Sequence, residues 1–250
     1  MSKYYYYIIN PLLRKIFLKI IIRKILRSIF LKIEPQFNIN KVKLHTRDFV
    51  LKTYLNLKNI KHPRNIYKHL YKNTNVIKTK NPYQFGGGAD EELLYNLSKK
   101  KELVSILETG VANGWSSLSI LLAIRKNKNK SLTSLDIPYP YKNSEKYIGN
   151  VIPSFLKKNQ WKLIIGIDSD QLNLLKQNNQ KFDLIHYDSD KNYFSKINSF
   201  NIIWNLLNTN GYLISDDVSD NNAFVDFAKQ KKLEYIIYKY ESKYIGIIKK

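Results

Sequence analysis

Short apolar runs alternate with longer stretches of helical character along most of the chain. Seven runs have the length and composition of buried strands, and they occupy residues 103–107, 131–135, 161–165, 182–187, 211–215, 234–238 and 244–248. Helices predicted between the first five runs are typical of crossovers in a parallel sheet. A further helix is predicted at 222–231, and the last two runs flank a polar turn typical of a hairpin. The pattern therefore predicts an α/β fold with a mostly parallel sheet.

The turn after the first strand is the most informative stretch. The strand ends at Glu108, glycines follow at Gly110 and Gly114, and a helix is predicted from Trp115 to Ile124. Glycines let the backbone approach a ligand closely, and a helix N-terminus supplies free N–H groups. The spacing differs from the dinucleotide fingerprint, because an acid stands where the first glycine would be. A carboxylate at that position suits a cationic ligand better than an anionic one. The alternative is that this stretch is a strand-to-helix turn of an unrelated α/β protein.

Polar residues follow the ends of the next strands as well. They are Asp136 after the second strand, Asp168 and Ser169 after the third, Asp188 after the fourth, and Asp216 and Asp217 after the fifth. Ligands of parallel sheets bind at the carboxyl ends of the strands, so these residues are candidates for one site. An acid at the tip of the second strand can accept both hydroxyls of a ribose.

Over residues 83–250, this ordered series of motifs resembles the class I S-adenosylmethionine (SAM) methyltransferases. The stretch 86–94 resembles the lead-in helix of bacterial O-methyltransferases from polysaccharide and natural-product loci. The resemblance implies a Rossmann-like sheet of seven strands, with helices on both faces and a C-terminal antiparallel hairpin. It also implies SAM as cofactor and a sugar or small-molecule hydroxyl as methyl acceptor. The cofactor-binding residues that it suggests are Glu108 at the methionine amino group, Gly110, Gly114, Trp115, Asp136 at the ribose, and Asp168 or Ser169 at the adenine.

Three aspartates are candidate metal ligands. The metal-dependent catechol-type O-methyltransferases carry a metal-binding Asp on one strand and an Asp-Asn pair on the next, at closely similar spacing. Asp188, Asp216 and Asp217 match that arrangement, with Asp-Asp as the pair. Three carboxylates suit Mg²⁺, which would bind the acceptor oxygen and lower its pKa. Ordinary helix capping is the alternative for each aspartate.

The predicted catalytic residues are Asp188, Lys191 and His186. Of these, Lys191 and His186 are the candidate general bases. Lys191 stands where catechol-type enzymes carry a lysine base, whereas closer bacterial relatives carry a histidine there. Two interpretations remain open: Lys191 is the base, or the site has lost its base. His186 lies on the same side of a regular strand as Asp188 and is the second candidate, with a buried structural histidine as the alternative.

The net charge and the absence of cysteine bear on the kinds of partner and chemistry that this chain can have. The formal net charge is +22, and the chain contains no cysteine, which excludes disulfides and thiol chemistry and suits a cytoplasmic protein. Lysine, asparagine and isoleucine are abundant throughout, and the aromatic-basic motifs of RNA binders are absent, so the charge does not by itself indicate a nucleic-acid partner. An RNA methyltransferase remains the alternative function that the charge suggests.

The N-terminal residues form a separate predicted unit. Apolar pairs alternate with basic residues over 11–33, which predicts an amphipathic helix too charged to span a bilayer. It would bind an anionic membrane surface at the inner face, or pack on the catalytic domain or a second subunit. The predicted organisation is this helix in 1–33, a helical lead-in and substrate cap in 34–87, and the SAM-binding domain in 88–250. Homo-oligomers, and a non-catalytic membrane-associated protein with the SAM fold, are further hypotheses.

Overall fold

The computed structural model describes residues 34–79, 88–139 and 143–250, together with isolated positions between 8 and 28. Most of the helix predicted over 11–33 lies outside the described residues, as does the end of the predicted 34–87 segment. Within the described residues, a search for membrane-spanning helices finds none.

One sheet forms the centre of the fold. Its strands are β1 (Leu44–His45), β2 (Ser105–Thr109), β3 (Ser131–Asp136), β4 (Trp161–Ile165), β5 (Phe182–Tyr187), β6 (Leu207–Ser215), β7 (Ile236–Tyr240) and β8 (Lys243–Lys249). Their order is β1-β7-β8-β6-β5-β2-β3-β4. Strand β8 runs antiparallel to both neighbours, and the other pairs are parallel. This confirms the mostly parallel, Rossmann-like sheet with an antiparallel hairpin, to which β1 adds a strand that was not predicted.

Helices connect the strands. They are α1 (Arg47–Phe49), α2 (Pro63–Ile66), α3 (Lys68–Thr79), α4 (Glu91–Ser98), α5 (Trp115–Ile124), α6 (Ser154–Lys157), α7 (Asp168–Gln177), α8 (Tyr193–Leu206) and α9 (Ala223–Gln230). A π-helical turn occupies Val50–Tyr54, and short 3₁₀ turns occupy Ile39–Lys41, Ser144–Tyr147 and Val218–Asp220. Helix α5 has the predicted bounds, and α9 lies within the predicted 222–231.

The two faces of the sheet carry separate apolar cores. Successive residues of a strand point to opposite faces, so Ile106 joins the core under α4 and α5, and Leu107 joins the core under α8 and α9. The same alternation divides Leu184 from Ile185. Both faces are buried, which explains why these strands read as continuous apolar runs and confirms the prediction of helices on both faces.

Asp90 links the lead-in helices to the sheet. Its carboxylate accepts the Leu93 N–H at 2.9 Å, which caps α4, and two hydrogen bonds from the Arg47 guanidinium at 2.7 Å. It also accepts the Tyr238 hydroxyl of β7 at 3.0 Å. Since the Asp90 side chain has no exposed surface, these contacts form a buried junction between α1, α4 and the sheet.

Candidate functional site

The glycine turn is closely packed against backbone from other segments. Gly110 has φ +81°, and a Cβ on it would lie 1.9 Å from the carbonyl oxygen of Asp188. Gly114 has φ +97°, and a Cβ there would lie 2.8 Å from the Cα of Gly149. Both positions therefore require glycine because protein backbone lies close to them, whereas the glycines were predicted to allow a cofactor to approach.

Asp136 holds the turn in shape. Its Oδ2 accepts the N–H groups of Val111 at 3.1 Å and Ala112 at 2.8 Å, and its Oδ1 accepts the N–H of Ile137 at 2.7 Å. Burial raises the pKa of Asp136 to about 6, although these hydrogen bonds oppose the shift. The carboxylate occupies N–H groups that a dinucleotide fold would offer to a pyrophosphate, which agrees with the departure from the dinucleotide fingerprint.

Glu108 and Trp115 are both buried in the protein. Glu108 is fully buried, and its Oε2 accepts the hydroxyl of Ser134 at 2.9 Å and that of Ser117. Trp115 is 5% exposed and stacks on Tyr71 of α3 with ring centroids 5.8 Å apart. Their predicted direct contacts with a cofactor do not fit this arrangement, because both side chains are enclosed by protein groups.

Asp168 and Ser169 begin α7 beside the end of β5. Asp168 accepts the N–H of Ser169 with Oδ1 and the hydroxyl of Ser189 with Oδ2, both at 2.8 Å. Its side chain is partly exposed and Ser169 is buried. Of the two residues predicted at the adenine, Asp168 is therefore the one with surface available to a ligand.

His186 lies between two buried carboxylates. Its Nδ1 is 3.7 Å from Glu108 Oε1 and its Nε2 is 3.7 Å from Asp216 Oδ1, and all three side chains have no exposed surface. Burial disfavours the charged ring, but the two carboxylates outweigh it and raise the pKa of His186 to about 10. Since the ring has no exposed surface from which to reach a substrate proton, this arrangement favours the structural alternative for His186 over the predicted general base.

The three predicted metal ligands meet at one edge of the sheet, but each already binds a cation. Lys191 Nζ donates to Asp188 Oδ1 at 2.7 Å and to Asp217 Oδ2 at 2.5 Å. Asp216 is fully buried, with Oδ2 accepting Lys243 Nζ at 2.8 Å and Oδ1 facing His186. Among the residues that the structure describes, no group of three His, Cys, Asp or Glu side chains is arranged to hold a metal ion. The donor set does not fit the predicted Mg²⁺ site.

The charge on Lys191 argues against its predicted role as base. Burial opposes that charge, but Asp188 and Asp217 overcome it and raise the pKa of Lys191 above its usual value. A lysine base needs the opposite shift. Burial and the neighbouring Asp216 instead raise the pKa of Asp188, although Lys191 and His186 counteract them. Asp188 is thus the better proton acceptor of the pair.

Several supporting residues were missed from the sequence. Lys243 is the first residue of β8, and Lys196 of α8 donates to the carbonyl oxygen of Asp217 at 2.8 Å, where the backbone has φ +48°. Asn221 Nδ2 donates to the carbonyl oxygen of Lys191 at 2.8 Å. Their roles depend on contacts between distant segments, so no local motif marks them.

Comparison with known proteins shows a similarity to one family of domains. Residues 107–218 match the model of a family described as a methyltransferase domain. No protein of curated function matches the sequence. This domain match, together with the strand order and the antiparallel hairpin, confirms the resemblance to the class I methyltransferases.

Three solved structures that share the fold are a methyltransferase and two O-methyltransferases. An SAH-bound methyltransferase from Podospora anserina is 16% identical, with a TM-score of 0.60 over 83% of this chain and 97% of that one. An O-methyltransferase from Bacillus cereus, in complex with SAH, is 14% identical, with a TM-score of 0.55 over 73% and 90%. The O-methyltransferase TomG from Streptomyces achromogenes, involved in tomaymycin synthesis and crystallised with SAM, is 16% identical, with a TM-score of 0.52 over 81% and 94%. At these identities the likeness establishes the fold.

Proposed function

We propose that the protein is a SAM-dependent O-methyltransferase that acts on a hydroxyl group of a sugar or another small metabolite. One observation carries the proposal. The residues matched to the methyltransferase domain, 107–218, run from β2 through Asp217 and include the glycine turn and the acidic side chains at the carboxyl edge of the sheet. Sequence family and site geometry therefore point to the same surface.

Asp136 and Asp168 are the residues proposed to hold the cofactor. Each carboxylate oxygen has two lone pairs, and Asp136 Oδ1 makes one hydrogen bond to the backbone, so it can still accept a ribose hydroxyl. Asp168 follows the neighbouring strand β4 and is partly exposed. Bound SAM would supply an electrophilic methyl group on a sulfonium. Support for this cofactor comes from the similar structures, which were crystallised with SAM or with SAH.

Asp188 is proposed to accept the proton of the acceptor hydroxyl. Its side chain is 22% exposed at the end of β5, so an acceptor can reach it. Burial raises the pKa of this carboxyl and makes the carboxylate a stronger base than an ordinary aspartate. The proton leaves the acceptor oxygen as that oxygen forms its bond to the methyl carbon. For this displacement, the protein has to hold the acceptor oxygen in line with the methyl carbon and the sulfur of SAM.

Two measurements test the proposal. Calorimetric titration of the full-length protein with SAM should show one site, and Asp136→Asn should weaken binding about tenfold because the hydroxyl acceptor loses its charge. Asp48→Asn is the matched control, since Asp48 is exposed and pairs only with Lys52 among the contacts described. Release of SAH with a panel of sugar and phenolic acceptors should then identify turnover. Absence of both SAM binding and SAH release would refute the proposed function.

A further inference from the structure

A lysine ammonium occupies the centre of the carboxylate cluster. Lys191 lies three residues after Asp188 in the sequence. Its Nζ is 2.7 Å from Asp188 Oδ1 and 2.5 Å from Asp217 Oδ2, so it bridges the two carboxylates. The backbone of Lys191 is fixed by the hydrogen bond from Asn221. The ammonium is thus held between the ends of β5 and β6, where the motif spacing predicted a divalent cation.

The surrounding charges make a second cation unfavourable there. Asp216, the third predicted ligand, forms an ion pair with Lys243 through one oxygen and faces His186 with the other. Lys196 also lies at this edge, bonded to the carbonyl oxygen of Asp217. A metal ion would have to displace Lys191 from both carboxylates and then remain close to these positive groups, which repel it.

The ammonium also has capacity for a substrate. A lysine Nζ has three N–H donors, of which Asp188 and Asp217 use two. The side chain is 34% exposed, so the third donor can reach an oxygen that enters from solvent. An acceptor oxygen bound to it would lie beside the Asp188 carboxylate, where its proton is needed.

We propose that Lys191 replaces the divalent cation of catechol-type O-methyltransferases: its ammonium binds the acceptor oxygen, and methyl transfer at this site requires no metal. The step balances without another reactant. The acceptor O–H bond breaks and Asp188 takes the proton, the new O–C bond forms, and the C–S bond breaks to leave a neutral thioether. Lys191 keeps its protons and stabilises the developing negative charge on the acceptor oxygen. This role rests on the proposed function.

Metal binding tests the replacement without relying on turnover. The probe is Mn²⁺, followed by electron paramagnetic resonance on the full-length protein. Wild type should bind Mn²⁺ weakly, and Lys191→Met should bind it about tenfold or more tightly, because Asp188 and Asp217 are released while the aliphatic bulk is kept. Lys52→Met removes an exposed lysine that pairs with Asp48 at 2.7 Å, and it should change nothing. Tight stoichiometric binding by wild type, unchanged in Lys191→Met, would overturn the proposal.

Turnover provides the second readout. With an accepted substrate, EDTA should leave SAH release unchanged, and Lys191→Met should lower kcat about 100-fold with little change in SAM affinity. Lys191→Arg should retain part of the activity, since the positive charge remains. Loss of activity in EDTA with recovery on adding Mg²⁺ would contradict the proposal. Failure of SAM to bind wild type would instead refute the proposed function, and the Mn²⁺ result would still report on Lys191.

Discussion

Replacement of His186 by leucine would leave two carboxylates in the core without the cation that they share. The ring lies 3.7 Å from Glu108 Oε1 and 3.7 Å from Asp216 Oδ1, and none of these side chains is exposed. Glu108 would keep its two serine hydroxyls, and Asp216 would keep Lys243. The substitution therefore removes one component of the network and leaves the rest in place.

The expected loss of stability is large. Raising the pKa of the histidine from 6.5 to about 10 corresponds to roughly 5 kcal/mol at most, at 1.36 kcal/mol per unit. Removal of one partner from a buried ion pair typically costs about 3–5 kcal/mol. Since the folded pKa is the higher one, this stabilisation is complete below pH 6.5 and is lost as the pH rises through about 10. The free energy of unfolding of wild type should therefore fall as the pH rises from 6.5 to about 10, and that of His186→Leu should fall less over the same range.

Urea unfolding followed by circular dichroism measures both effects. His69→Leu is the control, because His69 is exposed on α3, and its free energy of unfolding should stay within about 0.5 kcal/mol of wild type. If His186→Leu does not fold, the pH dependence of wild type still provides the test. A loss below about 1 kcal/mol in the variant, or a flat wild-type profile between neutral and alkaline pH, would show that His186 does not stabilise the two buried carboxylates.

Four further outcomes follow from the site. Gly110→Ala should abolish soluble expression or the cooperative thermal transition, because a Cβ there meets the Asp188 carbonyl oxygen at 1.9 Å; a normal transition would contradict the assigned packing. SAM affinity, measured by calorimetry, should weaken below about pH 6 as Asp136 is protonated, and Asp136→Asn should flatten that dependence. Asp188→Asn should lower kcat about 100-fold at constant SAM affinity, and unchanged SAH release would exclude Asp188 as proton acceptor. Asp90→Ala should cost about 3 kcal/mol in urea unfolding because it removes the buried carboxylate that accepts from Arg47, Tyr238 and the N-terminus of α4, and a loss near zero would show that the junction is not stabilising.

The architecture could be read from the sequence where local pattern and burial agree. The apolar run of β2, the two glycines and helix α5 form one local unit, and α5 begins and ends where predicted. Strand β1 could not be found in this way. It has two residues, too few for a periodic pattern, and its extended backbone depends on pairing between Leu44 and Ile237.

The site was predicted less completely, because its chemistry depends on which groups face one another. Spacing placed Glu108 next to the glycine turn, but it could not show that Ser117 and Ser134 enclose its carboxylate. Spacing likewise brought Lys191 close to Asp188. Its role changes because Asp217, which follows the end of β6, accepts a hydrogen bond from the same ammonium, and this contact exists only in the folded chain.

SAM binding at this edge of the sheet is best tested by isothermal titration calorimetry of the full-length protein with SAM, in EDTA and again in excess Mg²⁺. We expect one binding site with a micromolar dissociation constant that is the same in both buffers. Absence of binding heat, with no shift in the thermal unfolding temperature at saturating SAM, would contradict assignment of this edge of the sheet to a SAM-dependent methyltransferase.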